Sequence, residues 1–266
     1  MRKSPLIFDI SRGRIDDGNG IRTVIFVKGC PLNCSWCHNP ESKSYNIDFM
    51  WNENKCLHCQ DCVSVCDLIC FDKNRLNIKK AECNMCGKCF ELCVTKSLKA
   101  VGRGYTQNEL IKTALKDKVF YDVSKGGVTF SGGEPLSYPK FIGGVAEELK
   151  NHGISTAIET CGYFDFDKFE HFVLLYIDSI MFDLKFIDSD KHKQFTGVSN
   201  ELIIENFKKL TKKNILLIPR TPLIPDITDI AENLTQIKNF LQQFDKVYPH
   251  ILLPYNYDVN KNNYLM

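Results

Sequence analysis

Thirteen cysteines in 266 residues constrain this chain more than any other feature, because they are grouped rather than scattered. Cys30, Cys34 and Cys37 form a C-x3-C-x2-C run inside "GCPLNCSWCHNPES". Cys56, Cys59, Cys62 and Cys66 form a C-x2-C-x2-C-x3-C run, and Cys83, Cys86, Cys89 and Cys93 repeat that spacing 27 residues later. Cys70 and Cys161 stand apart. The opening "MRKSPLIFDISRG" holds no apolar run of signal-peptide length, and no stretch approaches the ~18 apolar residues of a membrane span. A cytoplasmic chain is therefore expected, where disulfides are rare and grouped thiols point to metal ligation.

The duplicated run matches the bacterial two-cluster ferredoxin pattern, in which the fourth cysteine of each run serves the other cluster. Cys56, Cys59, Cys62 and Cys93 are assigned to one [4Fe–4S] cluster, and Cys83, Cys86, Cys89 and Cys66 to the second. Asp67 and Val94 follow the fourth cysteines, where Pro is usual. Zinc knots favour separated C-x2-C pairs or histidines, and only His58 lies among these cysteines, so clusters are preferred. Cys70 could replace Cys66 as a ligand, but it and Cys161 read better as small buried apolar residues. The first group poses a different problem. A closed site takes four protein ligands, and here there are three.

Outside residues 51–100, β-rich runs alternate with helical patterns. Strands are expected at 22–27, 127–131, 154–160, 178–185, 215–221 and 250–255. Helices are expected over "PKFIGGVAEELKNHG", "SNELIIENFKKLTKKN" and "TDIAENLTQIKNFLQQF", the second capped by Ser199 or Asn200. Such alternation implies a parallel α/β sheet, and six units are too few for a closed eight-stranded barrel. The expectation is a partial (β/α)6 barrel. Residues 1–50 would hold the first strand and cysteine loop, 51–100 an inserted ferredoxin-like cluster domain, and 101–266 the rest of the barrel. Net charge is +2, which gives no electrostatic case for nucleic acid or an anionic membrane.

Barrel chemistry sits at the C-terminal strand ends. Those ends carry the three cysteines, then Gly132, Gly133 and Glu134, then Glu159, Thr160 and Cys161, then Asp183, Leu184 and Lys185, then Arg220, and last Tyr255 and Asn256. Each could be an ordinary turn, solvated charge or salt-bridge partner. Together, opposite a three-cysteine loop, they are hard to dismiss as such.

With these residues in view, the chain resembles the glycyl-radical-enzyme activating enzymes of the radical S-adenosylmethionine superfamily. The resemblance rests on "DGNGIRTVIFVKGCPLNCSWCHNPES", the eight-cysteine insert, "GGVTFSGGEPL", "MFDLKFIDSDKHKQFTGVSN" and "LLPYN". It implies that Cys30, Cys34 and Cys37 hold three irons of a [4Fe–4S] cluster, while S-adenosylmethionine chelates the fourth. It implies that Trp36 and His38 flank the adenine and that Gly132 and Gly133 admit the methionine moiety. It implies that Glu134 pairs with the ammonium and Lys185 with the carboxylate. Asp183, Leu184, Arg220 and Asn256 also join the cofactor site by resemblance. A monovalent-cation site is implied at Glu159, Thr160, Met181 and Asp183, with Glu159 in place of the family's Asp; readings with and without the cation stand open.

The partner implied is a glycyl radical enzyme, the electron donor a flavodoxin or ferredoxin, and the chain a monomer. The insert's clusters would relay electrons inward. Asn256 stands where the family has a His, and Asn cannot titrate near neutral pH. The sequence stops at Met266, where family members continue into a further helix; the missing cover would expose the barrel edge, be supplied by a partner, or reflect a truncated end. Two other functions compete. Anaerobic sulfatase-maturing enzymes place their extra cysteines after the barrel, and a pure electron carrier would not need "SGGEP" or "DLK".

Overall fold

The computed structural model describes residues 4–255. In chain order the first elements are β1 (Leu6–Arg14), β2 (Arg22–Val27), β3 (Asp48–Trp51), α1 (Asp61–Ser64), β4 (Ile69–Asp72), β5 (Arg75–Ile78), α2 (Lys88–Leu92), β6 (Leu98–Val101) and β7 (Arg103–Gly104). There follow α3 (Gln107–Leu115), α4 (Lys118–Ser124), β8 (Gly127–Gly132), α5 (Pro139–Asn151), β9 (Ser155–Thr160), α6 (Phe166–Phe172) and β10 (Ser179–Asp183). The last are α7 (Ser189–Thr196), α8 (Glu201–Leu210), β11 (Leu216–Leu223), α9 (Ala231–Leu241) and β12 (Ile251–Pro254).

The main sheet has eight strands in the order β12-β11-β10-β9-β8-β2-β1-β7. From β2 to β12 every neighbour is parallel, which gives the six strands expected and an open, partial barrel. Sequence reasoning passed over β1 and β7, which extend the β2 edge in antiparallel fashion. It also passed over α3, α4, α6 and α7, none longer than nine residues.

A strand shows alternate side chains to opposite faces, and parallel register makes each face continuous across the sheet. Val128, Phe130, Ile158, Ile180, Phe182 and Leu217 face the helices and pack with Ile142, Val145, Leu149, Phe169, Phe207 and Ile237. The opposite face receives Ser131, Glu159, Met181, Asp183 and Arg220, all polar but the methionine. The sheet thus sends an apolar set outward and a charged set inward. Buried strands alone do not require that pattern, so the charged set points to a site.

The insert carries its own repeat in backbone geometry. Single-turn helices at Glu53–Lys55 and Lys80–Glu82 lead into left-handed residues at His58 and Met85, then at Gln60 and Gly87. Each is followed by a short helix, α1 or α2. Between the halves, β4 and β5 form a hairpin whose two turn residues, Lys73 and Asn74, both have positive φ, as the tightest hairpin turns require. β3 and β6 pair antiparallel, Trp51 against Leu98 and Asp48 against Val101, and close the neck of the excursion.

Candidate functional site

The inward face opens on a cavity of about 880 Å³ at the C-terminal ends of the parallel strands. Its walls are the cysteine loop, the β8, β9, β10 and β11 ends, one side of β1, Met50 of β3, and Lys99, Ala100 and Val101 of β6. Cys30, Cys34 and Cys37 all line it.

Backbone hydrogen bonds hold that loop on both sides. Gly29 N–H donates to Ser42 O (2.7 Å) and Cys30 N–H to Lys43 O (3.1 Å), while Asn33 N–H reaches Thr196 O at the end of α7 (2.7 Å). Lys28 is fully buried, and its ammonium donates to the Glu41 carbonyl and to Asp48 Oδ2 at 2.9 Å, tying the start of the loop to its return. The "GG" of "SGGEP" packs against the same loop. A side chain at Gly133 would meet Gly29 O at 2.3 Å, and Gly133 N–H donates to Val27 O at 2.8 Å. The two glycines, expected to admit a ligand, line the cavity and also let two stretches of the chain's own backbone meet.

Trp36 lies between Phe186 and Phe195, with ring centroids 6.2 and 6.0 Å away, and Tyr255 donates its hydroxyl to the Trp36 carbonyl. It borders the cavity but is largely buried in its own aromatic cluster. His38 also lines the cavity, edge-on to Tyr255. Burial pushes the Cys34 thiol up to about 11 and raises Cys37, whereas a hydrogen bond from Cys161 holds Cys30 below its usual value. Iron binding must displace those thiol protons.

Among the described residues no three His, Cys, Asp or Glu converge on a single-ion site. A cubane does not ask for convergence, since each thiolate takes a different iron. Three thiols on one cavity wall, backed by Leu32, Trp36, Phe186 and Ile224, fit such a cluster with one iron left open to a small ligand.

Opposite the cysteines stands a charged set fixed by register. Met181 pairs with Glu159 across β9 and β10, and Asp183 with Arg220 across β10 and β11. Arg220 donates to Glu159 Oε1 (2.6 Å) and to Asp183 Oδ1 from both Nε and a terminal nitrogen (3.2 and 3.0 Å). Lys185 Nζ reaches Asp183 Oδ2 at 3.1 Å, and Ser131 Oγ donates to Glu159 Oε2. Burial works against the Asp183 charge, but Lys185 and Arg220 overcome it and hold the carboxyl below the usual range. Lys185 and Arg220 likewise keep their protons more tightly than usual.

Glu134 is placed differently from the sequence expectation. It is fully buried and does not border the cavity. Leu136 N–H donates to one oxygen (3.0 Å), while the Thr160 hydroxyl (2.9 Å) and Cys161 N–H (2.8 Å) donate to the other. Leu184 lies in the helix-facing core, its amide bonded to Arg220 O. Asn256 falls outside the described residues. Asn200 does begin α8, but its side chain donates to Phe186 O and Ile187 O instead of capping, and so holds the loop after Lys185.

In the insert, Cys56, Cys59, Cys62 and Cys93 line one small cavity. Burial raises the Cys62 thiol, and charges on Cys56, Cys59 and Cys93 add to the rise. Burial lifts Cys89 to about 11, with Cys66, Cys83 and Cys86 adding to it. Cys161 is buried as expected, but Cys70 is exposed. The hairpin explains the difference: Ile69 takes the inward place on β4, so Cys70, next in the alternation, faces water.

The sequence reading missed the cavity wall made by β1 and the turn after it, Asp9, Ser11, Arg14, Asp16 and Asp17. The β-rich run Leu6–Ile10 was its available signal.

Residues 24–237 match the model of the radical SAM superfamily. The isethionate sulfite-lyase activating enzyme of Oleidesulfovibrio alaskensis is 38% identical over 94% of this chain and 83% of its own length. The trans-4-hydroxy-L-proline dehydratase activating enzyme of Clostridioides difficile is 38% identical over 98% of this chain and 87% of its own. The crystal structure of QueE from Escherichia coli, 13% identical, covers 98% of this chain and 88% of its own with a TM-score of 0.51, a likeness of fold alone.

Proposed function

The chain belongs to the radical SAM superfamily and, within it, to the activating enzymes of glycyl radical enzymes, and on that premise we propose that it installs the backbone glycyl radical of a partner enzyme. A [4Fe–4S] cluster with S-adenosylmethionine, held here, would supply one-electron cleavage of the cofactor and removal of hydrogen from a partner glycine, with methionine and 5′-deoxyadenosine as products. This chain's residues bind, orient and exclude water. Cys30, Cys34 and Cys37 hold the cluster, and the wall of Lys185, Arg220 and Asp183 receives the methionine end. Gly132 and Gly133 border that end, and Trp36 and His38 border the adenine side. The single observation that carries this reading is three loop thiols and a register-built charged wall lining one cavity of about 880 Å³, within the size range of small-molecule sites.

Residues 51–100 serve as a two-cluster relay. Cys56, Cys59 and Cys62 share one small cavity with Cys93, the fourth cysteine of the other run, which supports the crossed ligation of a ferredoxin-like module. The electron donor is then a flavodoxin or ferredoxin. The two relatives at 38% identity are named for different partners, so similarity does not choose among glycyl radical enzymes.

Anaerobic mixing of reduced protein, S-adenosylmethionine and the cognate partner should give a glycine-centred EPR doublet with equal amounts of radical and 5′-deoxyadenosine. Replacing Cys30, Cys34 and Cys37 together with Ala should stop cofactor cleavage and lower iron from roughly twelve to eight per chain. Cleavage by that triple variant, or cleavage by the native protein with neither doublet nor oxygen-dependent scission of the partner, rejects the reading.

A further inference from the structure

The monovalent-cation site that the family resemblance implies would need open oxygens on Glu159, Thr160, Met181 and Asp183. An alkali cation does not fit these residues as they stand. Glu159 Oε1 accepts from Arg220 at 2.6 Å, and its other oxygen accepts from Ser131. Asp183 Oδ1 accepts twice from Arg220, and Oδ2 accepts from Lys185 at 3.1 Å. The Thr160 hydroxyl donates to Glu134 and accepts from Gly162 N–H, both at 2.9 Å. The Met181 side chain offers only a thioether, 3.5 Å from an Arg220 nitrogen and a soft, poor ligand for a hard cation, so its main-chain carbonyl would be the one oxygen this residue supplies.

We propose that the Arg220 guanidinium fills, within this chain, the place a bound monovalent cation would hold, so that S-adenosylmethionine capture here needs neither Na⁺ nor K⁺. The inference rests on the cofactor reading of the cavity. Charge counting supports it. Two carboxylates, Glu159 and Asp183, already face two cations, Arg220 and Lys185, so the wall is charge-balanced without an added ion. Geometry supports it as well. The guanidinium stands between the two carboxylates, 2.6 Å from Glu159 Oε1 and 3.0 Å from Asp183 Oδ1. Arg also suits the place: its planar fork spans two carboxylates and keeps its charge at any working pH.

The test compares K⁺, Na⁺ and tetramethylammonium chloride at equal ionic strength. The first readout needs no cofactor: the melting temperature of the native protein should be the same in all three salts, whereas a bound ion would raise it by mass action in K⁺ or Na⁺. The second is S-adenosylmethionine affinity of the iron-reconstituted protein, expected to agree across the three salts. The third uses Arg220→Ala, expected to lose about tenfold in affinity in tetramethylammonium and to regain most of it in K⁺ or Na⁺. A salt-specific rise in native melting temperature or affinity overturns the proposal. So does an Arg220→Ala loss that neither ion restores, which would mean the guanidinium acts only by touching the cofactor. Should Arg220→Ala fail to fold, the native comparisons still decide. Absence of cofactor binding in every salt would defeat the proposed function instead, and the melting comparison would still decide the cation question.

Discussion

Glu134 shows how far a single residue can be read from sequence. Its position at a strand end was legible, because β8 is a short, β-rich run that stops at a Gly-Gly pair. Its partners were not, because they depend on how the loop after β8 folds over β9. A carboxylate that accepts from Leu136, Thr160 and Cys161 in full burial is held as a structural hub. Glu134→Gln replaces one acceptor oxygen by an NH₂ that faces a donor, and such a mismatch costs about 1–3 kcal/mol. In a chain of this size that lowers the melting temperature by several degrees. Calorimetry of the variant checks it. An unchanged melting temperature with weakened S-adenosylmethionine binding would restore the ammonium-binding role read from the sequence.

Among the elements, the parallel strands were the legible part and the β1 edge was not. A strand with one apolar face announces itself by alternation, as "GVTFS" does with Val128 and Phe130 and "SIMFD" does with Ile180 and Phe182. β1 had a local signal, but its link to the start of α4 is a long-range pairing that no local pattern encodes. Asp117 makes that pairing. It precedes α4, yet its carboxylate takes Arg12 of β1 at 2.7 and 2.5 Å and the Thr23 hydroxyl of β2 at 2.8 Å rather than capping the helix. The hydrogen bonds from Arg12 hold the Asp117 carboxyl below its usual range. A depressed carboxyl pKa contributes stability that is complete above the unfolded value and is lost as pH falls through the folded one. Asp117→Asn should therefore melt below the native protein at neutral pH, with the gap narrowing once pH drops under about 4. A gap that stays constant down to acid pH would show that shape, not charge, holds β1.

At the scale of the whole molecule, the cysteine groups lie at different depths. Cys34 and Cys161 are buried in the barrel mouth, while Cys59 and Cys86 in the insert are exposed. The neck between them is the β3–β6 pair, and its Met50, Lys99, Ala100 and Val101 form part of the barrel cavity wall. The neck of the insert thus borders the barrel cavity. If its clusters carry electrons inward, their loss should matter only when electrons enter from outside through a protein donor. Cys59→Ala and Cys86→Ala should lose turnover with reduced flavodoxin or ferredoxin. They should keep 5′-deoxyadenosine formation when a small strong reductant reaches the Cys30, Cys34 and Cys37 centre directly. The two donors must be compared on the same preparations, with S-adenosylmethionine binding measured alongside, because a cluster can also be a staple: without metal, small cysteine-rich modules lose their fold. Equal loss with both donors, together with loss of cofactor binding, would assign the insert a structural role. Loss with the protein donor alone, cofactor binding intact, is the signature of a relay.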